Sequence, residues 1–559
     1  MKKFINRPAN VVEEMLQGMA VLHPGMIRLP GHKVMIRADA AAARDLQVAV
    51  LSGGGSGHEP AHAGYIGAGM LSAAVAGEVF TSPSSDEVLA AIRAVTGKPG
   101  ALLVVKNYTG DRLNFGLAAE MARAEGVPVE MIIVDDDVAV QGSGTGARGL
   151  AGTVFIHKVT GAAAAEGKSL AEVAAIGRVA IGSLATMGVS FSAGTSPAVG
   201  RPSFELGEQE MELGLGIHGE PGVQRMPIQP ADQLTETLLN AILERGKFSD
   251  QKRVALMINN LGATTEMEMA VVARHAVPFL EGKGFAVERI MGGTFLSSLD
   301  MAGISMSLLG LNDERLRWLD AVTTAPAWPS GLAMRPGAAV ARTSEEGSAR
   351  AISGQDGAQT AKGKKVRDAI VAACHALIAA KQELTELDRI TGDGDLGVSM
   401  ARGAKAVEEA VDSYPLDDVP ATLKALGHTL RRELGGSSGP LYGVLFLRCG
   451  SVLENAGSAQ WVEALRQGCQ AISELGGARP GDRTMLDALD PFVRALQKDG
   501  KAIMAAVEAA DSGAEATAQM KPRLGRSSYL GDRVLGHPDP GAKAVAIWLR
   551  AACEAVSGN

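Results

Sequence analysis

The sequence predicts a multidomain protein with an α/β half followed by an all-helical half. Three observations carry that expectation. Before residue 330, short apolar or β-branched runs alternate with segments of helical period. After residue 366 the helical period persists and convincing strands are few. Between the two, residues 331–365 (GLAMRPGAAVARTSEEGSARAISGQDGAQTAKGKK) lack apolar periodicity and read as a flexible linker.

In residues 1–330 the expected strands are VAVLSGGG (48–55), ALLVVKNYTGD (101–111), EMIIVDDD (130–137) and RVALMINNLG (253–262). Strands separated by helices imply crossover units and a largely parallel sheet, with ligands bound beyond the carboxyl ends of the strands. Gly-rich or polar residues follow the apolar run in three of these four segments. In residues 366–559, Val366, Ile370, Cys374, Leu377 and Leu384 follow helical spacing, with KQELTELD as the polar face. Further helices are expected within 402–412, 419–434, 459–475, 484–510 and 541–555.

Composition narrows the function classes. A chain of 559 residues is too long for a single core. A net charge of −8 without a basic cluster argues against a nucleic-acid partner. Apolar strings are interrupted before the ~18 residues of a membrane span, so no membrane partner is expected. MKKFINRPANVVEEM has no apolar core of a secretion signal. Four scattered cysteines without a C-x-x-C pair suit reduced thiols and a cytoplasmic location.

The helical half carries the most telling motif, LDRITGDGDLG, with Asp388, Asp393 and Asp395. Glycines at 392 and 394 let the backbone turn back so that the three carboxylates converge. Their mutual repulsion is relieved by a hard divalent cation, and Mg²⁺ shared with nucleotide phosphates is the common biological solution. The alternative is a solvated Asp-Gly turn. An EF-hand does not fit, because Val398 and Ala404 stand where its loop needs Gly and Glu. LGGSSGPLYG (434–443) offers backbone N–H groups and the hydroxyls of Ser437 and Ser438 to a phosphate. GARPGDRTMLDALDP (477–491) and GRSSYLGDRVLGHPDPGA (525–542), with Arg526 and the Asp539-Pro540-Gly541 turn, add two further Gly-rich loops.

In the α/β half, GAAAAEGKS (161–169) imitates a P-loop, but Ala162 stands where glycine is required. SGGGSGHEPAHAGYIGAGM (52–70) lacks the G-x-G-x-x-G register of a dinucleotide loop. Its backbone reads better as a pocket for a small polyhydroxy ligand, with His58 as acid or base. Lys106 and Asp111 follow another strand and face the same crevice. His218, bounded by Gly216 and Gly219, is a loop-borne histidine free to act as base or nucleophile.

Together, SGGGSGHEP…GYIGAGML, KNYTGD and GLGIHGEPG resemble the substrate half of the dihydroxyacetone kinase family. LDRITGDGDLG, GGSSGPLYG, GDRTMLDALDP and SSYLGDRVLGHPDPGA resemble its nucleotide half. The resemblance, to the single-chain ATP-dependent form, spans all but the linker. It implies two α/β subdomains divided near 190–200, and a barrel of eight antiparallel helices. It implies that His218 captures a ketone as a covalent hemiaminal while His58 and Asp111 assist deprotonation. Gly55, Ser56, Gly57, His58, Lys106 and Asp111 would contact the substrate. Asp388, Asp393 and Asp395 would bind Mg²⁺. Leu396, Gly397, Val398, Ser399, Ser437, Ser438, Gly476, Thr484, Met485, Arg526, Asp539, Pro540 and Gly541 would contact ATP. The expected activity is phosphorylation of dihydroxyacetone and glyceraldehyde by a homodimer. Erythrulose as acceptor, or a lyase that cyclises FAD, are the alternatives.

Overall fold

The computed structural model describes residues 2–558 apart from 141–146, 203, 221, 247, 249–251, 330–359, 457–459 and 525. Most of the expected linker lies outside the described residues. The chain forms two compact units, Met1–Ala341 and Arg342–Asn559.

The first unit holds two six-stranded sheets. One comprises β1 (Met26–Arg28), β2 (Val34–Arg37), β3 (Ala49–Ser56), β4 (Ala73–Val79), β5 (Ala101–Lys106) and β6 (Val129–Val134), in the order β1-β2-β4-β3-β5-β6. β4, β3, β5 and β6 pair in parallel, and β2 and β1 extend the sheet antiparallel. Period-two side chains build a core on each face. Val50, Leu102 and Val104 join one core, and Leu51, Leu103 and Val105 the other. The helices are α1 (Val11–Leu22), α2 (Ala40–Ala43), α3 (Ser85–Val95), α4 (Thr109–Ala124), α5 (Thr153–Ala165) and α6 (Leu170–Ile181). The P-loop look-alike at 161–169 is the end of α5 with its exit turn. Ser169 caps α6 in a capping box with Glu172.

The second sheet comprises β7 (Leu184–Ser190), β8 (Glu210–Leu213), β9 (Gln224–Pro227), β10 (Arg253–Asn260), β11 (Ala286–Gly293) and β12 (Gly303–Gly310), ordered β11-β10-β12-β7-β8-β9. Here the expectation of a largely parallel sheet is corrected. Only β10 and β11 pair in parallel, and the other four pairings are antiparallel. β10 is buried along nearly its whole length, so its apolar run reads as it would in a parallel sheet and carries no sign of direction. Helices α7 (Ala231–Arg245), α8 (Glu266–Gly282) and α9 (Asp313–Asp320) complete the unit. The residues 190–200 fall just after β7.

The second unit consists of α10 (Ala361–Ala379), α11 (Lys381–Thr391), α12 (Leu396–Ala410), α13 (Val419–Glu433), α14 (Ser438–Ala456), α15 (Trp461–Gly476), α16 (Leu486–Lys498), α17 (Ile503–Ala516) and α18 (Pro540–Ser557), with short 3-10 turns. Thr360 caps α10 through Gly363 N (3.1 Å), so the last residues assigned to the linker belong to this helix. The helices α10, α12, α13, α14, α15, α16, α17 and α18 pack successively, and α18 returns to α10. The ring therefore has eight members. α11 stands outside it, against α12 and α18. The expected helical run 484–510 is divided at Asp499 and Gly500 into α16 and α17. Leu384 on α11 is fully buried, which contributes about 1.5–3 kcal/mol and fixes the approach to the aspartate turn. Among the described residues no helix is long and apolar enough to cross a membrane. All four cysteines are free thiols.

Candidate active and nucleotide sites

In the α/β unit the site begins at the carboxyl end of β3. Gly53 to Gly55, expected both at the end of the strand 48–55 and in the ligand segment 52–70, lie within the strand and pair with β4. An ideal Cβ on Gly53 would lie 2.3 Å from Val75 O, and one on Gly55 2.6 Å from Thr81 N. These glycines let neighbouring backbone approach. The turn proper starts at Gly57, whose φ of +100° and closeness to Phe80 exclude a side chain. The Ser56 hydroxyl donates to Gly77 O (2.7 Å) and holds the strand pair.

His58 follows, wholly buried. Its Nδ1 donates to Ser297 O at 2.8 Å, which leaves Nε2 as a bare acceptor. That Nε2 has no hydrogen-bond partner. Burial first, then the charges of Lys106 and His218, push the ring's pKa well below the usual histidine value. The ring stacks on Phe80 (5.2 Å between centroids) and meets His218 edge-on at 4.8 Å.

His218 sits between β8 and β9 in a collar of rings, with Tyr108 at 4.6 Å and Phe80 at 5.3 Å. Its Nδ1 donates to Glu220 Oε1 (2.9 Å), and its backbone N–H donates to Oε2 (3.0 Å). Burial pushes the Glu220 carboxyl up, but the hydrogen bond and charge of His218 outweigh it and bring the pKa to about 2. The ionised Glu220 therefore fixes the proton on Nδ1 and leaves His218 Nε2 as the ring nitrogen that carries the lone pair.

Lys106 ends β5, and Asp111 lies in the first turn of α4; both are buried. The point where a Gly54 Cβ would stand is 2.7 Å from Lys106 Nζ and 3.5 Å from Asp111 Oδ2. Burial lowers the Lys106 pKa, opposed by the charges of Asp111, Glu220 and Glu59. His58, Lys106, Asp111 and His218, drawn from four segments, thus lie in one cluster. Sequence reasoning missed Glu220, Tyr108, Phe80 and the Ser297 carbonyl. Glu220 had a signal, an acid two residues beyond the loop histidine. Tyr108 lay in the KNYTGD motif between Lys106 and Asp111, but an aromatic there carried no signal of its own, and Phe80 and the Ser297 carbonyl come from remote elements.

In the helical unit, α11 runs into the aspartate turn. Asp388 Oδ2 accepts from the backbone N–H of Asp395 (2.9 Å) and Leu396 (3.0 Å), so this carboxylate also caps the start of α12. Gly392 allows the closure, because a Cβ there would lie 2.3 Å from Asp388 Oδ1. Gly394 takes φ +80°. One carboxylate oxygen from each of Asp388, Asp393 and Asp395 lies within 4.8 Å of the others. An oxygen-only donor set of this charge fits a hard cation such as Mg²⁺.

The first turn of α12 carries Leu396, Gly397, Val398 and Ser399; the Leu396 and Ser399 amides are taken by Asp388 Oδ2 and Asp395 O, which leaves those of Gly397 and Val398 as the helix N-terminal amides suited to phosphate. Ser399 Oγ accepts from Gly435 N (3.2 Å), which joins this turn to the loop of Ser437 and Ser438. Gly436 there has φ +61° and open space where a Cβ would point.

A second set of residues gathers Thr484, Met485, Asp539, Pro540 and Gly541. Asp487 accepts from Gly481 N (2.5 Å) and Thr484 N (2.8 Å). Asp539 caps α18 through Ala542 N (2.8 Å), and burial pushes its pKa up to about 6. A Gly541 Cβ would lie 3.9 Å from Met485 N, so the two loops touch. Gly476 ends α15 beside Leu441 of α14. Arg526 opens a 3-10 turn, and its side chain lies outside the described residues.

A strand-end pocket with an activated histidine pair, and a helix ring with an oxygen-donor cation site, define a two-domain phosphotransferase. Residues 17–327 match the Dak1 domain and residues 390–554 the DAK2 domain. The chain belongs to the dihydroxyacetone kinase family. It is 42% identical to a triokinase/FMN cyclase of Homo sapiens, over 99% of both chains. It is 36% identical to a D-erythrulose kinase of Mycolicibacterium smegmatis, covering 100% of this chain and 99% of the relative. Among solved structures, the dihydroxyacetone kinase from C. freundii in complex with AMP-PNP and Mg²⁺ matches with a TM-score of 0.63 and 35% identity over 99% of both chains. The family's cofactors, ATP and Mg²⁺, fit the donor set at 388–395.

Proposed function

We propose that the protein transfers the γ-phosphoryl group of ATP to a hydroxyl of a short ketose, dihydroxyacetone in the first instance, while holding the acceptor on His218. The observation that carries this reading is the shared tautomer of two adjoining histidines. His218 has its proton held on Nδ1 by Glu220, and His58, its proton held on Nδ1 by Ser297 O, keeps a buried, unpartnered Nε2 against the His218 ring. In the capture step His218 Nε2 bonds to the carbonyl carbon. The C=O electron pair moves to oxygen, which takes a proton from solvent, and the ring's positive charge is balanced by Glu220. Fixing one end of the acceptor raises the effective concentration of its terminal hydroxyl. In the transfer step the hydroxyl oxygen bonds to γ-phosphorus, the bond to the β-bridging oxygen breaks, and the hydroxyl proton passes to His58 Nε2, with Asp111 beside it.

Asp388, Asp393 and Asp395 would hold Mg²⁺, which neutralises triphosphate charge when bound. The α12 N-terminus and the loop of Ser437 and Ser438 would cradle the phosphates, and the loops at 484–485 and 539–541 the rest of the nucleotide. The M. smegmatis relative's name supports erythrulose as a second acceptor, and the human relative's name supports a nucleotide-cyclising side activity.

The test is ADP release with dihydroxyacetone, glyceraldehyde, both erythrulose enantiomers and glycerol. Turnover is expected with the carbonyl compounds and not with glycerol, which has no carbonyl to capture. Glycerol turned over as fast as dihydroxyacetone would overturn the capture step. Cyclic nucleotide formed from FAD without any acceptor would establish the lyase activity.

A further inference from the structure

Behind the acceptor pocket lies a second layer of ring nitrogens that the chemistry above leaves unused. His62, in the turn after His58, and His157, on α5, are both buried. Lys106 Nζ lies 3.2 Å from His62 Nε2, and His62 Nδ1 lies 2.9 Å from His157 Nε2. These contacts have one consistent proton arrangement. An ammonium only donates, so His62 Nε2 accepts and the His62 proton resides on Nδ1. That N–H faces His157 Nε2, which accepts in turn and leaves the His157 proton on Nδ1. Ser52 does not reverse the order, since its hydroxyl donates to Val104 O (2.7 Å) and stands 3.4 Å from His62 Nδ1. Burial first, then the Lys106 charge, holds both rings neutral: His62 well below the usual value, His157 at about 3.

Lys106 needs such a partner. Its side chain has four rotatable bonds and three donors, and a buried ammonium without acceptors is costly. The charged groups facing it are Asp111 from α4, Glu220 from the His218 loop and Glu59 from the turn after β3. The neutral rings of His58, His62 and His157 complete its titratable surroundings.

We propose that His62, oriented by His157, is a positioning residue for the acceptor: by accepting one Lys106 N–H it turns the remaining two away from the rings, toward the side of Asp111. This rests on the ketose-kinase reading given above. Lys106 then meets the bound acceptor's oxygen with preset donors, and no rotamer search is required on binding.

Steady-state kinetics of His62→Ala and His62→Gln test the proposal. His62→Ala is expected to raise KM for dihydroxyacetone about ten- to a hundredfold, with KM for ATP unchanged. The alkaline limb of its kcat/KM profile is expected at lower pH, because the ammonium has lost its acceptor. His62→Gln, whose amide oxygen can take the same hydrogen bond, is expected to recover most of the loss. Equal losses in the two variants, or an unmoved alkaline limb in folded His62→Ala, would overturn it. Nitrogen-15 NMR of the histidine rings in the unmodified protein gives a second readout that requires neither turnover nor a folded variant. Nδ1–H tautomers at His62 and His157 are expected, and an Nε2–H tautomer at His62 overturns the proposal. If dihydroxyacetone is not phosphorylated at all, the kinase reading fails while the ring tautomers still decide the relay.

Discussion

His218→Ala is expected to abolish capture of dihydroxyacetone and to lower its ATP-dependent turnover by roughly a thousandfold or more. Two losses combine. The bond that fixes the acceptor is gone, so its hydroxyl must be placed by hydrogen bonds alone. Glu220, half-buried, loses the imidazole N–H that it accepts from. With dihydroxyacetone carrying carbon-13 at the carbonyl, NMR of the unaltered protein is expected to show a tetrahedral resonance, and the variant none. A tetrahedral adduct that persists in His218→Ala would remove His218 from the nucleophile's role. Glu220→Gln separates the two losses. It keeps the nucleophile but frees the tautomer, so capture should weaken rather than vanish.

Asp388→Asn is expected to leave the aspartate turn folded and to weaken magnesium-dependent AMP-PNP binding and turnover by about a hundredfold. The asparagine side-chain oxygen can still accept from the backbone N–H of Asp395 and Leu396, so the cap on α12 survives. What disappears is one negative charge among three carboxylates. Calorimetric titration of AMP-PNP with and without Mg²⁺ measures the change. Affinity that stays high and stays magnesium-dependent would show that the triad does not hold the metal. Acceptor capture, followed by the same carbon-13 signal, is expected to be unaffected. Its loss in Asp388→Asn would contradict the assignment of capture and nucleotide binding to different residues.

Much of this arrangement was legible in the sequence, for identifiable reasons. Apolar runs such as Ala49–Leu51 and Ala101–Val105 show themselves because a strand buried on both faces needs apolar side chains in succession. The aspartate turn was legible because glycine at 392 and 394 and acids at 388, 393 and 395 are local. Strand direction in the second sheet was not. It depends on which remote segment lies beside β10, and that information is spread over more than 120 residues, from β7 to β12. The glycines at 53–55 were assigned to both the strand and the ligand segment, because loops and close strand approaches demand the same residue. Only the Val75 carbonyl, 22 positions away in the chain, tells the two apart. The tautomers of His58 and His62 were invisible for a similar reason, since Ser297 O and the Lys106 ammonium set them from far along the chain.

The closed helix ring bears on how the protein is made. α18 seals the ring against α10, and its first residues bring Asp539 and Gly541 against the Met485 loop. A ribosome that has produced everything through α17 has therefore produced an open arc, with α10 lacking its α18 neighbour and the Met485 loop lacking Asp539 and Gly541. Closure of the ring waits for α18, however far the earlier helices have folded.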